Sequence, residues 1–172
     1  MGSLSNLTAW GYESYMDGSS AVQFHASARL VLAGNLFSFN QLVFDSAFTS
    51  ANTWEQNTIT DSSLVWLSRA VTIGATIYGG NTGTQAIQSN PMALGTLKGL
   101  LDSGGNSTAV YGFNIGAGSG VNGTWTGAAD TLSYRFGTGP VQTYNFEAVP
   151  EPASMAALGM GALALLRRRK KS

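Results

Sequence analysis

Short runs in which apolar and polar residues alternate, separated by glycine-rich turns, are the sequence feature that most limits how this chain can fold. The clearest run is QFHASARLVL, whose apolar residues recur at every second position. A period of two is typical of a β-strand that buries one face. We therefore expect a half-buried strand whose buried face carries Phe24, Ala26, Ala28, Leu30 and Leu32. The only histidine, His25, falls on the opposite face, where we expect it to be exposed to solvent.

Further runs repeat this alternation along the chain and predict more strands. Their shared faces comprise, in order, Val71, Ile73, Ala75 and Ile77; Tyr111, Phe113 and Ile115; Leu132, Tyr134 and Phe136; and Tyr144, Phe146 and Ala148. The tetrapeptide GTGP at 137–140 lies between the last two runs and predicts a hairpin loop.

One helix is predicted, within SNPMALGTLKGLLDSGG. Asn90 can cap its start, and Pro91 suits its first position because proline needs no hydrogen-bond acceptor there. Leu94, Leu97 and Leu101 then share one face at helical spacing.

These elements predict a mainly β protein with two parts. Residues 1–148 should form the body, an antiparallel β-sandwich of jelly-roll-like topology with one short helix. Residues 149–172 should form a separate C-terminal segment with a single transmembrane-type helix.

Charge is unevenly distributed, although the chain as a whole has a formal net charge of zero. Five of the nine Lys and Arg residues lie at 167–171, so acidic residues outnumber basic ones in the rest of the chain. That part has no basic face to follow phosphates, and we expect no nucleic-acid partner. The chain also lacks cysteine, which excludes disulfides and thiolate metal sites. We expect no metal and no cofactor.

The N-terminal residues MGSLSNLTAW contain neither a cationic stretch nor an apolar run, so no secretory signal peptide is visible there. The C-terminal segment has a different character. Pro150 and Pro152 have fixed φ angles and push the residues before them toward extended backbone, which suits recognition by a protease.

An apolar run occupies residues 153–166 and would span only about 21 Å as a helix, less than the ~30 Å hydrocarbon core of a bilayer. The residues expected to lie in the membrane are Ala153, Met155, Leu158, Leu163, Leu165 and Leu166. The basic residues that follow are Arg167, Arg168, Arg169, Lys170 and Lys171. Because such clusters stay on the cytoplasmic side, the body should lie outside the membrane. A cytoplasmic tail-anchored protein would violate this charge rule, and a helix packed on the body would not need five consecutive cations.

The ordered combination of Pro150-Glu151-Pro152, an apolar run and a terminal basic cluster resembles the PEP-CTERM sorting signal. The resemblance is confined to about the last 24 residues. It implies that Pro150, Glu151 and Pro152 are the recognition motif and that Arg167 to Lys171 stop transfer through the membrane. The implied partners are the lipid bilayer and an exosortase, a membrane enzyme that cleaves near the triplet. The implied location is the inner membrane transiently, then the cell envelope, the cell surface or the exterior.

The body itself carries no recognisable catalytic motif, so we expect it not to be an enzyme. The main hypothesis is an envelope or extracellular-matrix protein with a non-catalytic body. The alternative is a carbohydrate-binding module delivered to extracellular polysaccharide by the same route. Trp54 and Trp125 lie in polar, loop-like surroundings and could stack on sugar rings. Their exposure on one concave face would favour the alternative, whereas two or more carboxylates in a pocket with His25 would favour an enzyme.

Overall fold

The backbone arrangement comes from a computed structural model that describes residues 2–21, 25–46, 49–117 and 123–146. The described residues contain one α-helix, α1 (Leu94–Leu101), and short 3₁₀ turns at Leu4–Asn6 and Ser103–Gly105. The strands are β1 (Leu7–Met16), β2 (Ser27–Gly34), β3 (Phe37–Phe44), β4 (Trp54–Ile59), β5 (Leu64–Leu67), β6 (Val71–Ile73), β7 (Thr76–Tyr78), β8 (Met92–Ala93), β9 (Thr108–Gly116), β10 (Gly127–Phe136) and β11 (Gln142–Tyr144).

The strands form two main sheets and a small hairpin. The four-stranded sheet has the order β11-β10-β1-β4, and the five-stranded sheet has the order β8-β5-β3-β2-β9. Strands β6 and β7 pair only with each other. Every pairing between these strands is antiparallel, so the predicted mainly antiparallel β class with one short helix is confirmed.

Both sheets contribute side chains to one hydrophobic core. Trp10 of the four-stranded sheet and Phe113 of the five-stranded sheet are in ring contact, with centroids 6.1 Å apart. The predicted apolar positions Ala28, Leu30 and Leu32 are fully buried. Alternation along β2 therefore identified its core-facing side correctly.

Helix α1 covers one region of this core. Leu94, Leu97 and Leu101 are buried as their spacing predicted. Lys98 on the same helix is also nearly buried, and its Nζ donates to Asp61 Oδ1 and to the Leu7 carbonyl, each at 2.6 Å. The ammonium group thus links the helix to the start of β1, and the Asp61 carboxylate compensates its charge.

Three local predictions are wrong. The helix begins at Leu94 with Ala93 as its cap, not after Asn90, because Met92–Ala93 pair with β5 as strand β8. AVTIGATIY forms the β6–β7 hairpin, not one strand, because the chain turns at Gly74, whose φ is +61°. His25 is buried, not exposed.

The predicted face of Tyr111, Phe113 and Ile115 is divided by an irregularity in β9. Val31 of β2 pairs with Gly112, whereas the adjacent Leu32 pairs with Val110. Tyr111 therefore has no partner residue on β2, and its side chain is exposed to solvent. Phe113 and Ile115 pack against the core. The extra residue is a β-bulge, which changes the direction of the side chains beyond it.

The predicted transmembrane-type helix falls within 147–172, outside the described residues. Within the described part of the chain, no helix combines the length and the apolar character needed to cross a bilayer.

Two leucines on neighbouring strands test where the core lies. Leu42 of β3 is fully buried, whereas Leu64 of β5 is 57% exposed. We expect Leu42→Ala to lower the free energy of unfolding by about 2–5 kcal/mol because it leaves a cavity. Leu64→Ala should change it by less than about 0.5 kcal/mol. Urea unfolding followed by tryptophan fluorescence measures both, and equal losses for the two variants would contradict the assignment of the core.

Candidate functional site

The last strand among the described residues is an exposed edge strand. Strand β11 follows the predicted hairpin loop at 137–140 and pairs with β10, with Leu132 opposite Tyr144 and Tyr134 opposite Gln142. All residues of β11 are exposed. Within the described part of the chain, this strand therefore lies on the surface and pairs on one side, with β10.

Two contacts fix this edge strand to the body. A stack of rings runs outward from Phe113 to Tyr134 at 4.5 Å and on to Tyr144 at 5.9 Å. The hydrogen bond between the Tyr134 and Tyr144 hydroxyls raises the pKa of Tyr134. Further along, the Phe146 backbone N–H donates to Asp130 Oδ1 at 2.7 Å, although the Phe146 side chain remains 54% exposed.

Asp130 lies in β10 beside an irregularity in the pairing with β1, which sequence reasoning missed. Its Oδ1 also accepts the Thr131 N–H at 2.6 Å, and Thr131 has a positive φ of 51°. No local pattern predicts that this carboxylate binds the backbone of Phe146, since the two residues meet only when β10 and β11 pair.

The predicted sorting residues all lie outside the described residues. These are Pro150, Glu151 and Pro152; the apolar residues Ala153, Met155, Leu158, Leu163, Leu165 and Leu166; and the basic residues Arg167, Arg168, Arg169, Lys170 and Lys171. Their roles in sorting therefore remain predictions.

The two tryptophans predicted to stack on sugars lie near the same end of β1. Trp54 is 54% exposed, and its ring contacts that of Tyr15 at 5.7 Å with a tilt of 42°. Trp125 is half-buried and packs on Gly127, where any side chain would collide with its ring and with the Tyr15 carbonyl. The structure thus brings both tryptophans close to Tyr15, but only Trp54 is largely exposed. Their role in sugar binding stays a prediction.

His25 joins a buried polar network that links three separate parts of the chain. Its Nδ1 lies 3.0 Å from the Ser14 hydroxyl on β1. Its Nε2 lies 3.2 Å from both the Ser50 carbonyl and Glu55 Oε2. Because Nε2 faces two acceptors, it carries the imidazole proton, and Nδ1 accepts from Ser14 when the ring is neutral.

The Glu55 carboxylate is the second centre of this network. Its Oε1 accepts hydrogen bonds from the Ser50 N–H at 2.9 Å and from the Thr49 hydroxyl. Partial burial alone would raise the pKa of Glu55, but these hydrogen bonds and the nearby His25 together hold it below its usual value.

Ser14, His25 and Glu55 contain the residue types of a hydrolytic triad, but their arrangement differs from that of a serine hydrolase. Ser14 is fully buried, so its hydroxyl is out of reach of a substrate. The imidazole is also reversed, since in a serine hydrolase Nε2 faces the nucleophile and Nδ1 faces the acid. Glu55 supplies a carboxylate to His25, and among the described residues no group of three or more His, Cys, Asp or Glu could hold a metal ion.

Comparison with known proteins identifies the C-terminal segment. The family model of the PEP-CTERM protein-sorting motif matches residues 148–170. No curated protein and no solved structure matches the chain. The resemblance noted from the PEP triplet, the apolar run and the basic cluster is confirmed. Segments of this kind are recognised by exosortases, which implies export and processing at a membrane.

The network around His25 predicts a pH-dependent contribution to stability. A carboxyl group with a lowered folded-state pKa stabilises the fold above its unfolded value of about 4.3, and this stabilisation is lost as pH falls through the folded pKa. We expect Glu55→Gln to be less stable than the wild type at pH 7, by up to about 1 kcal/mol. Urea unfolding at pH 7 and pH 3 should show this difference shrinking at the lower pH. A difference of equal size at both values would contradict a role for the Glu55 charge.

Proposed function

We propose that this chain is an exported protein of the cell envelope or extracellular matrix whose C-terminal segment directs it to an exosortase and is then cleaved off. The observation that carries this proposal is the match of residues 148–170 to the PEP-CTERM protein-sorting motif. In this account residues 1–148 are a β-sandwich body without catalytic activity, and residues 149–172 are removed after delivery.

The position of Phe146 supports access of a membrane enzyme to the triplet. The chain leaves the body at an exposed edge strand, so Pro150 follows shortly after a surface position. Fully extended backbone from Phe146 to Ala153 spans at most about 25 Å. The body is therefore kept close to the bilayer, within reach of an enzyme that works at the membrane surface.

Charge sets the direction of the segment in this proposal. The cations at 167–171 remain on the cytoplasmic side, and the body lies on the opposite side. The apolar run at 153–166 is short, and its four leucines together contribute only about −2 kcal/mol of insertion free energy. Such a segment suits a temporary anchor, held in place mainly by its basic end until the chain is cut.

The buried network supports a non-catalytic body. His25 contacts Ser14 through one ring nitrogen and Glu55 through the other. Ser14 and His25 are nearly inaccessible to solvent. Their contacts connect β1 to the residue before β2 that carries the imidazole and to strand β4, and so hold parts of the fold together.

Separate variants of the C-terminal segment distinguish anchoring from cleavage. Replacing Arg167 to Lys171 by five glutamines should release the segment from the membrane and abolish processing, because nothing then stops transfer through the bilayer. Replacing Arg167, Arg168 and Arg169 by lysine keeps the charge and should leave both steps unchanged. Changing Pro150 and Pro152 to alanine should leave the protein in the membrane but uncut.

Cell fractionation and immunoblotting in a host that carries the exosortase measure both steps. Processing of the five-glutamine variant at the wild-type rate would contradict the role of the cations. Circular dichroism of the purified variants controls for folding, and an unfolded body would show that the segment belongs to its core instead.

A further inference from the structure

A groove of about 780 Å³ opens on the five-stranded sheet, where the turn between β2 and β3 meets the start of β9. Its lining includes the aromatic residues Phe37 and Tyr111 and the polar residues Asn35, Ser38 and Ser107. The volume lies in the range of about 300–1,000 Å³ that is typical of ligand-binding clefts. It is distant in sequence from the C-terminal segment and involves neither Trp54 nor Trp125.

The groove is shaped by a close approach of two backbones. A side chain at Gly34 would collide with the Ser107 carbonyl and would lie 3.2 Å from Thr108 Cα, so glycine alone fits there without displacing β9. Next to it, Ser107 Oγ donates to Asn35 Oδ1 at 3.3 Å. These contacts hold the polar lining in place without a ligand.

Tyr111 is presented to the groove by the bulge in β9. The register between β2 and β9 shifts between Val31 and Leu32. The Tyr111 side chain therefore faces away from the core and is 68% exposed. The next residue, Gly112, pairs with Val31. Because glycine has no side chain, position 112 does not cover the Tyr111 ring. Bulges often redirect a side chain in this way at binding sites.

The described residues that line the groove carry no charged side chain. They include no Asp, Glu, Lys, Arg or His, and they offer hydroxyl and amide groups beside aromatic and small residues. A nucleic acid or another anionic polymer would find no cation there. A neutral molecule rich in hydroxyl groups can both hydrogen-bond to such a lining and lay its C–H face on an aromatic ring.

We propose that this groove binds a segment of a neutral polysaccharide, with a sugar ring stacked on Tyr111 and sugar hydroxyls bonded to Asn35 and Ser38. The site belongs to the folded body, and it does not depend on the sorting route. It also differs from the surface around Trp54 that the sequence suggested.

Affinity electrophoresis in native gels tests the proposal with the full-length protein, kept soluble in a polyoxyethylene detergent that has no sugar headgroup. The gels contain dextran, hydroxyethylcellulose, xyloglucan or soluble starch, with alginate as an anionic comparison. We expect retardation by at least one of the neutral polymers and none by alginate. Tyr111→Ala should weaken that binding about tenfold or more, as loss of about 1.4 kcal/mol of stacking predicts.

Matched variants separate this site from other aromatic surfaces. Trp54→Ala and Tyr144→Ala also remove exposed rings, and both should bind as the wild type does. Thermal unfolding controls for the fold, which Tyr111→Ala should leave intact because the ring is exposed. Absence of retardation by all four neutral polymers would overturn the proposal. So would loss of binding in Trp54→Ala with full binding in Tyr111→Ala.

Discussion

The inward side of β1 is the feature on which the rest of the body depends. This strand lies between β10 and β4, and its alternate side chains contact the five-stranded sheet and the residues just before β2. Trp10 contacts Phe113 of β9, the Tyr12 hydroxyl donates to the Ala26 carbonyl, and Ser14 bonds to His25. Burial raises the pKa of Tyr12 to about 12, which reflects how completely its hydroxyl is removed from water. One strand thus joins both sheets through apolar packing and buried hydrogen bonds.

The described core residues all precede the stretch that matches the sorting motif. The buried core residues run from Leu4 to Leu132, and the exposed strand β11 comes after them. Among the described residues, the buried core side chains therefore all precede the PEP triplet in sequence.

Sequence reasoning was reliable where one physical effect dominates locally. Alternation identified the buried side chains of β2, leucine spacing identified the buried face of α1, and the order of triplet, apolar run and cations identified the sorting motif. It failed where a distant partner decides the outcome. His25 was placed on a solvent face, yet it precedes β2 and is enclosed by Ser14 and Glu55, which are remote in sequence.

The candidate groove could not be predicted for the same reason. The bulge that exposes Tyr111 exists only in the pairing of β9 with β2, and Gly112 was its sole local sign. The contact of Asp130 with Phe146 likewise needs β10 and β11 to be paired first. Periodicity gives the face of a regular strand, whereas irregularities of register are set by the strand alongside it.

The most direct measurement of the central claim is the C-terminal sequence of the mature protein, obtained by mass spectrometry of material from its native host. If the last two dozen residues are a sorting signal that is cleaved off, the mature chain ends near Pro150-Glu151-Pro152 and lacks the basic residues 167–171. Recovery of the intact terminus RRRKKS on the delivered protein would contradict the account.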